Sequence, residues 1–221
     1  MRRTMRVHLN SSDHICRHFQ KQPNMNNPSE VVFRVAVGVV VVTWFAVRGH
    51  FQKKVGSSKK ISSHHGRREK RSYMLVSVSF LPILLYVFTS PFSFAHIAIP
   101  SWLRWAGLIS GLSASGLFAW THFALGRNWS GLLEIAKDHE LVTGGPYRFV
   151  RHPMYSAFFL MGIGVLLLSS NWLVGGLNLA AVTAMYLVRV ADEEAMMLGH
   201  FGQSYQTYMD HTGRVFPRLR T

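Results

Sequence analysis

The sequence predicts an all-α integral membrane protein with about five transmembrane helices, the last two forming a tight helical hairpin. Three observations carry this. Apolar residues make up 48% of the 221 and charged residues only 15%, where a soluble domain carries about 25% charged. The apolar residues fall into long runs rather than short periodic ones. The basic residues are unevenly spread: residues 1–71 hold 15 of the 24 Lys and Arg but 3 of the 10 Asp and Glu. A net charge of +14 gathered beside hydrophobic segments fits membrane topology and not a nucleic-acid-reading face. The apolar content excludes a disordered chain. Cys16, the single cysteine, excludes an internal disulfide or a zinc finger.

The first apolar run, residues 31–47, is at the lower limit for a span. Its valines favour a strand in water, but a lone strand in lipid leaves its backbone unpaired, so a helix is expected. Arg34 interrupts it near the start and is expected to snorkel to the interface. Residues 48–72 form a loop with nine Lys and Arg, read as cytoplasmic and as fixing the orientation. His64 and His65 lie in it without metal-ligand spacing, and no metal site is expected. A second span follows at 73–89, with a kink at Pro82, then an uncharged loop at 90–101.

The third span, 102–125, is rich in Gly, Ser and Ala, which allow close helix packing in lipid. Residues 154–190 form the last apolar stretch. As one helix it would reach ~55 Å, against a hydrocarbon core of ~30 Å. Ser169-Ser170-Asn171 supplies a turn at its middle, so it reads as a hairpin whose ends, at 154 and 190, are neighbours. The chain thus divides into a basic, flexible segment at 1–30, three transmembrane helices at 31–125, and a functional region at 126–221 that includes the hairpin. Loops 48–72, 126–153 and 191–221 fall on the cytoplasmic side. The basic N-terminus then falls outside, against the positive-inside rule, a conflict that a start at Met25 weakens. Residues 1–24 lack the apolar core of a secretory signal.

Polar residues beside a membrane are costly, so their clustering is informative. One cluster runs from His139 to Tyr155; the other holds Arg189, Asp192, Glu193 and Glu194, followed by Tyr205 and Tyr208. Arg189 and Glu193 share a helix face. Gly144-Gly145-Pro146 makes a tight turn, and Pro153 suits the first position of a helix. Such a site suits a zwitterion with an aromatic part and a positive centre, since tyrosine faces attract sulfonium or quaternary nitrogen. Glu194 reads as solvated, and Tyr205 and Tyr208 as packing residues.

The stretch HELVTGGPYRFVRHPMY, then the paired glutamates, then FGQSYQTYM and the terminal Arg-x-x-Pro, resembles the isoprenylcysteine carboxyl methyltransferase family of membrane enzymes over residues 126–217. The pattern departs from the family at Leu132 and Ser156. The resemblance implies S-adenosylmethionine as methyl donor. Its contacts would fall on His139, Glu140, Leu141, Val142, Tyr147, His152, Pro153, Met154, Tyr155 and Glu193. It implies that Arg189 holds the acceptor carboxylate, with Arg151 a further candidate. The acceptor implied is a lipid or prenylated molecule reached from the membrane.

A carboxylate is ionised at neutral pH and needs no general base; alignment and exclusion of water are the site's tasks. Other readings stay open at this point: a phosphatidylethanolamine-type N-methyltransferase, an NADPH-dependent sterol-type reductase, and a non-enzymatic membrane anchor. An amine acceptor would favour carboxylates rather than Arg189 beside it.

Overall fold

In the computed structural model the described residues are 27–54, 66–89, 91–126 and 140–218. His139, Leu132, His64 and His65, together with residues 1–26, lie outside them. Among the described residues seven α-helices occur in order: α1 Pro28–Lys54, α2 Gly66–Val78, α3 Leu81–Phe88, α4 Ser101–Leu125, α5 Pro153–Ser169, α6 Trp172–Phe201 and α7 Gln203–His211. Four segments of the described residues are long and apolar enough to cross a membrane: Pro28–Gln52, Arg71–Phe88, Ser101–Leu125 and Trp172–Phe201. With the 17-residue apolar helix Pro153–Ser169, the expected five-span architecture results. The protein is an all-α, multi-pass membrane protein.

Each element has a local cause. Asn27 precedes α1, and its side chain accepts from the Ser29 backbone N–H at 3.2 Å, while Pro28 takes the first helical position. The valine-rich run is helical throughout, as backbone satisfaction in lipid demands. The second span is broken at Ser79–Phe80, and Pro82 stands in the first turn of α3. A proline inside a continuous helix would clash with the preceding turn, so the helix restarts around it. At the hairpin, Ser170 adopts a left-handed backbone with φ 48°. Asn171 then caps α6 by accepting from the backbone N–H of Leu173 and Val174, and donates to the Phe92 carbonyl at 2.7 Å.

Gly107 and Gly111 of α4 pack within this chain. A Cβ on Gly164 of α5 would lie 2.8 Å from the Gly111 nitrogen of α4, so only glycine allows that crossing. Between the two arms of the hairpin, a Cβ on Gly175 would lie 2.3 Å from the Leu166 Cα. Gly175→Ala is therefore expected to destabilise by about 1–3 kcal/mol, the range for overpacking. Gly176→Ala, where a Cβ meets nothing within 4 Å, is the control. Thermal unfolding in detergent checks it, and equal melting temperatures would contradict the close approach. The core between the helices is aromatic: Trp44 stacks on Phe118 with centroids 4.4 Å apart and meets Phe158 edge-on at 5.3 Å.

Arg34 departs from expectation. It is buried at 8% exposure rather than at the interface. Its guanidinium donates to the carbonyls of Tyr86 and Thr89, each at 2.6 Å, and lies 4.6 Å from the Tyr86 ring centroid. The last carbonyls of α3 have no partner within the helix, and a cation there is favoured by the helix dipole. Nearby, Arg104 pairs with Glu30 at 2.5 and 3.1 Å and donates to the Leu168 carbonyl at 2.9 and 3.1 Å. These two arginines tie the first three spans and the hairpin together at the end remote from residues 151 and 193.

Candidate active site

The hairpin brings the N-terminus of α5 beside the C-terminal half of α6. Pro153 opens α5, with His152 as its N-cap residue. Arg189 lies one turn before the adjacent Glu193 and Glu194 on α6. Glu193 accepts from the Tyr155 hydroxyl at 2.7 Å and from Arg189 Nε at 3.1 Å through Oε1. Its Oε2 lies 3.5 Å from His152 Nδ1. Tyr155 also receives Arg189 Nε at 3.2 Å. Arg189 is 6% exposed, and its guanidinium carbon sits 4.6 Å from the centroid of Tyr73, on α2.

Glu194 forms a second centre, and here the sequence expectation fails. It is buried, not solvated. Its Oε1 receives Arg151 Nε and Nη2 at 3.1 and 3.0 Å, His152 Nε2 at 3.2 Å and Arg214 Nε at 3.2 Å. Its Oε2 receives Arg214 Nη2 at 2.7 Å. The helical period gives the reason: Glu194 is rotated about 100° from Glu193, toward the chain that follows α7. The imidazole of His152 thus bridges two carboxylates. Burial disfavours its charged form, but the two carboxylates outweigh that and raise its pKa above the ordinary imidazole value.

The segment after α7 straps this centre. Arg151 N–H donates to the Gly213 carbonyl at 2.8 Å, and His152 N–H to that of Arg214 at 2.9 Å. Ser156 Oγ donates to the Val215 carbonyl at 2.6 Å. Arg151 Nη1 donates to the Met209 carbonyl at 3.0 Å and also to that of Thr212. The Arg151 guanidinium is thereby committed to the fold. Tyr205 is buried at 2% exposure; burial, then repulsion from Glu194, pushes its hydroxyl up to about 12. Tyr208 donates to the Tyr147 carbonyl at 2.6 Å, fixing the turn at Gly145–Arg148.

Of the sequence-predicted residues, Arg151, His152, Tyr155, Arg189 and Glu193 come together. Pro153 is buried at the start of α5, and Met154 packs against the core. Glu140 is exposed, and Leu141 and Val142 are half-buried, in the irregular stretch before Gly144. Sequence reasoning missed Arg214, although its Arg-x-x-Pro setting was visible. It also missed Tyr73, for which no local signal exists, because it arrives from another span.

A family profile described as the isoprenylcysteine carboxyl methyltransferase (ICMT) family matches residues 107–199, which carry this cluster. The match covers less than half of the chain. The protein-S-isoprenylcysteine O-methyltransferase of Schizosaccharomyces pombe is 39% identical over 72 residues, covering 33% of this chain and 30% of that one. Its namesake in Rattus norvegicus is 30% identical over 122 residues, covering 54% and 43%. The chain spans less than half the length of these curated relatives. A solved structure of the eukaryotic intramembrane Ras methyltransferase ICMT superposes with a TM-score of 0.59 at 25% identity, covering 87% of this chain and 69% of that one. The ICMT likeness in fold thus extends well beyond the matched residues.

Proposed function

We propose that this chain is an ICMT-family membrane methyltransferase that uses S-adenosylmethionine to methylate a carboxylate on a lipidic acceptor, an isoprenylcysteine being the acceptor class named for its relatives. The observation that carries the reading is the buried Arg189, held by Glu193 and Tyr155 beside the imidazole and second carboxylate. A fixed guanidinium can take a carboxylate bidentately. An amine acceptor would gain nothing from it. A cavity of about 310 Å³ at the same end of the bundle, lined by Leu117, Trp120, Phe149, Phe159, Ile163 and Phe216, supports a lipidic acceptor.

The residues present suit the donor chemically. Glu193 can take its ammonium, the tyrosine faces of Tyr147 and Tyr155 suit its sulfonium and aromatic part, and His152, Pro153 and Met154 wall the same region. His139, Glu140, Leu141 and Val142 are assigned to the donor by family pattern. Bound there, the donor supplies an electrophilic methyl group. Arg189 holds the acceptor carboxylate, already ionised at neutral pH, and orients its oxygen. Tyr155 and Glu193 fix Arg189. His152, set between the two carboxylates, positions them rather than acting as a base. The strap at 212–215 excludes water, and the alignment supplies much of the barrier reduction. The site faces the cytoplasm by the charge of the stretch 48–72, which runs from the end of α1 into α2, and residues 126–221 form the donor-binding unit.

Calorimetry on the full chain in mild detergent tests this, titrating S-adenosylmethionine and, separately, NADPH. Donor binding that His152→Ala and Glu193→Ala each weaken at least tenfold is the expected result. NADPH binding alone would move the protein to a reductase, and binding of neither by folded protein would leave a membrane anchor.

A further inference from the structure

We propose that Phe159 is a specificity-determining residue of the acceptor site: it stands between the cavity that takes the lipid chain and the cluster that takes the carboxylate, and its size sets the bulk an acceptor can carry beside its carboxyl end. The inference rests on the carboxyl methyltransferase reading. The placement follows from the helical period. Tyr155, Phe159, Gly162 and Leu166 follow one another at steps of three and four along α5, so they form one stripe. That stripe faces α6. Tyr155 donates to Glu193, Phe159 meets Tyr186 edge-on with centroids 5.8 Å apart, and Gly162 and Leu166 lie against Leu179 and Gly175. A second stripe, Ser156, Leu160 and Ile163, lines the cavity. Phe159 is three residues from Ser156 and four from both Tyr155 and Ile163. It belongs to both stripes, and its side chain lines the cavity as well.

A chain of rings leads from Phe159 to the reactive cluster. Tyr186, one turn before Arg189 on α6, meets Phe159 and also Tyr155, the latter with centroids 5.3 Å apart. The Tyr155 hydroxyl receives Arg189 Nε. From cavity to guanidinium the order is therefore Phe159, Tyr186, Tyr155, Arg189. The other walls of the cavity are closed. On the α4 side, Ser110 Oγ donates to the Leu160 carbonyl at 2.8 Å, and Gly164 lies against the Gly111 backbone. On the cytoplasmic side, Ser156 Oγ holds the Val215 carbonyl, and Val215 and Phe216 line the cavity. An acceptor with its chain in the cavity and its carboxylate on Arg189 thus rounds α5 past Phe159. The part that passes is the few carbons nearest the carboxyl end, where the fit is purely apolar because the hydroxyl of Ser156 is already engaged.

The test uses the full chain in detergent with S-adenosylmethionine as donor and two acceptors, N-acetyl-S-farnesylcysteine and an analogue with a biphenylmethyl group on the sulfur. A misfit of one methylene in an apolar pocket is worth about 10- to 200-fold. Phe159→Ala is expected to raise kcat/KM for the bulky analogue relative to the farnesyl acceptor by about tenfold or more. Phe159→Trp is expected to lower kcat/KM for the farnesyl acceptor by about as much, and in both the KM for the donor stays unchanged. Leu160→Ala, which enlarges the cavity on its α4 side, should leave the ratio of the two acceptors within about twofold of wild type. A ratio unmoved in Phe159→Ala overturns the inference; so does Phe159→Trp at the wild-type level, or a shift in Leu160→Ala as large as that in Phe159→Ala. A parallel rise in donor KM assigns the effect to the fold and overturns it as well. If Phe159→Ala does not fold, Phe159→Leu takes its place with the same direction of shift. A wild-type protein that binds the donor and methylates no carboxylate overturns the underlying reading instead. In that event photolabelling with an N-acetyl-S-alkylcysteine that carries a diazirine beside the sulfur decides the passage. Label on Phe159 or Tyr186 that Phe159→Trp reduces upholds it, and label elsewhere, or none, sinks it.

Discussion

Arg189→Gln is expected to lower kcat/KM for a carboxylate acceptor by about 30- to several-thousand-fold, while donor affinity falls by less than about threefold. Truncating one partner of a buried, hydrogen-bonded charge pair costs about 2–5 kcal/mol, and every 1.4 kcal/mol is tenfold. The loss has two sources here. The acceptor carboxylate would enter a water-poor site without its counter-charge, and Glu193 would lose one of its partners while keeping Tyr155 and His152. Those remaining partners are why the fold and the donor site should survive. Arg189→Lys separates charge from geometry. It keeps the cation but not the planar fork, and a compact ammonium cannot at once sit on the Tyr73 face and meet a carboxylate at two points. An intermediate loss, about tenfold or more, is expected. Steady-state kinetics with acceptor and donor varied separately checks both. Arg189→Gln turning over acceptor at near wild-type kcat/KM would remove Arg189 from the chemistry.

The architecture was legible because the membrane constrains so much. Backbone satisfaction in lipid turned a valine run into α1 against its strand propensity, and span length alone required a turn near Ser170. Pro82 marked the break in the second span, since its ring tolerates no preceding helical turn. The juxtaposition of Arg189 and Glu193 with His152 followed from the hairpin, because its two ends must meet.

What stayed hidden was whatever depended on azimuth or on distant chain. Glu194 looked like a solvated neighbour of Glu193. One step along a helix is about 100°, and the partners that make its side inward-facing, Arg151 and Arg214, come from 43 residues before and 20 after. Arg34 looked like a snorkelling residue because the sequence does not reveal that the C-terminus of α3, 52 residues on, ends against it. Tyr73 gave no signal for the same reason. Sequence periodicity reports which face of an element is apolar, and it is silent on which foreign element arrives there.

Glu194→Ala is expected to have the largest effect on stability of any change in the site. One carboxylate there holds Arg151, His152 and Arg214 together. Removing it leaves the buried side chains of Arg151 and His152 facing each other without the carboxylate they share. Breaking a buried ion pair from one side costs about 3–5 kcal/mol. Arg214 adds little to this, because its side chain is 54% exposed and such pairs are screened; Arg214→Ala should lower stability by less than about 1 kcal/mol. The expected readouts are a markedly lower melting temperature, faster proteolytic cleavage near residues 212–217, and donor affinity reduced as the strap loosens. Glu194→Gln should fall between, since an amide oxygen still accepts from Arg151 but offers no charge to oppose the two cations. Asp192→Ala, an exposed neighbour on the same helix, should change none of the three. The carboxylate is a keystone only if the order Ala, then Gln, then wild type holds in melting and in tail cleavage alike. If Glu194→Ala melts with the wild type and its tail resists protease equally, the strap is held by the backbone bonds of Gly213 and Arg214 alone and the ion cluster is incidental to it.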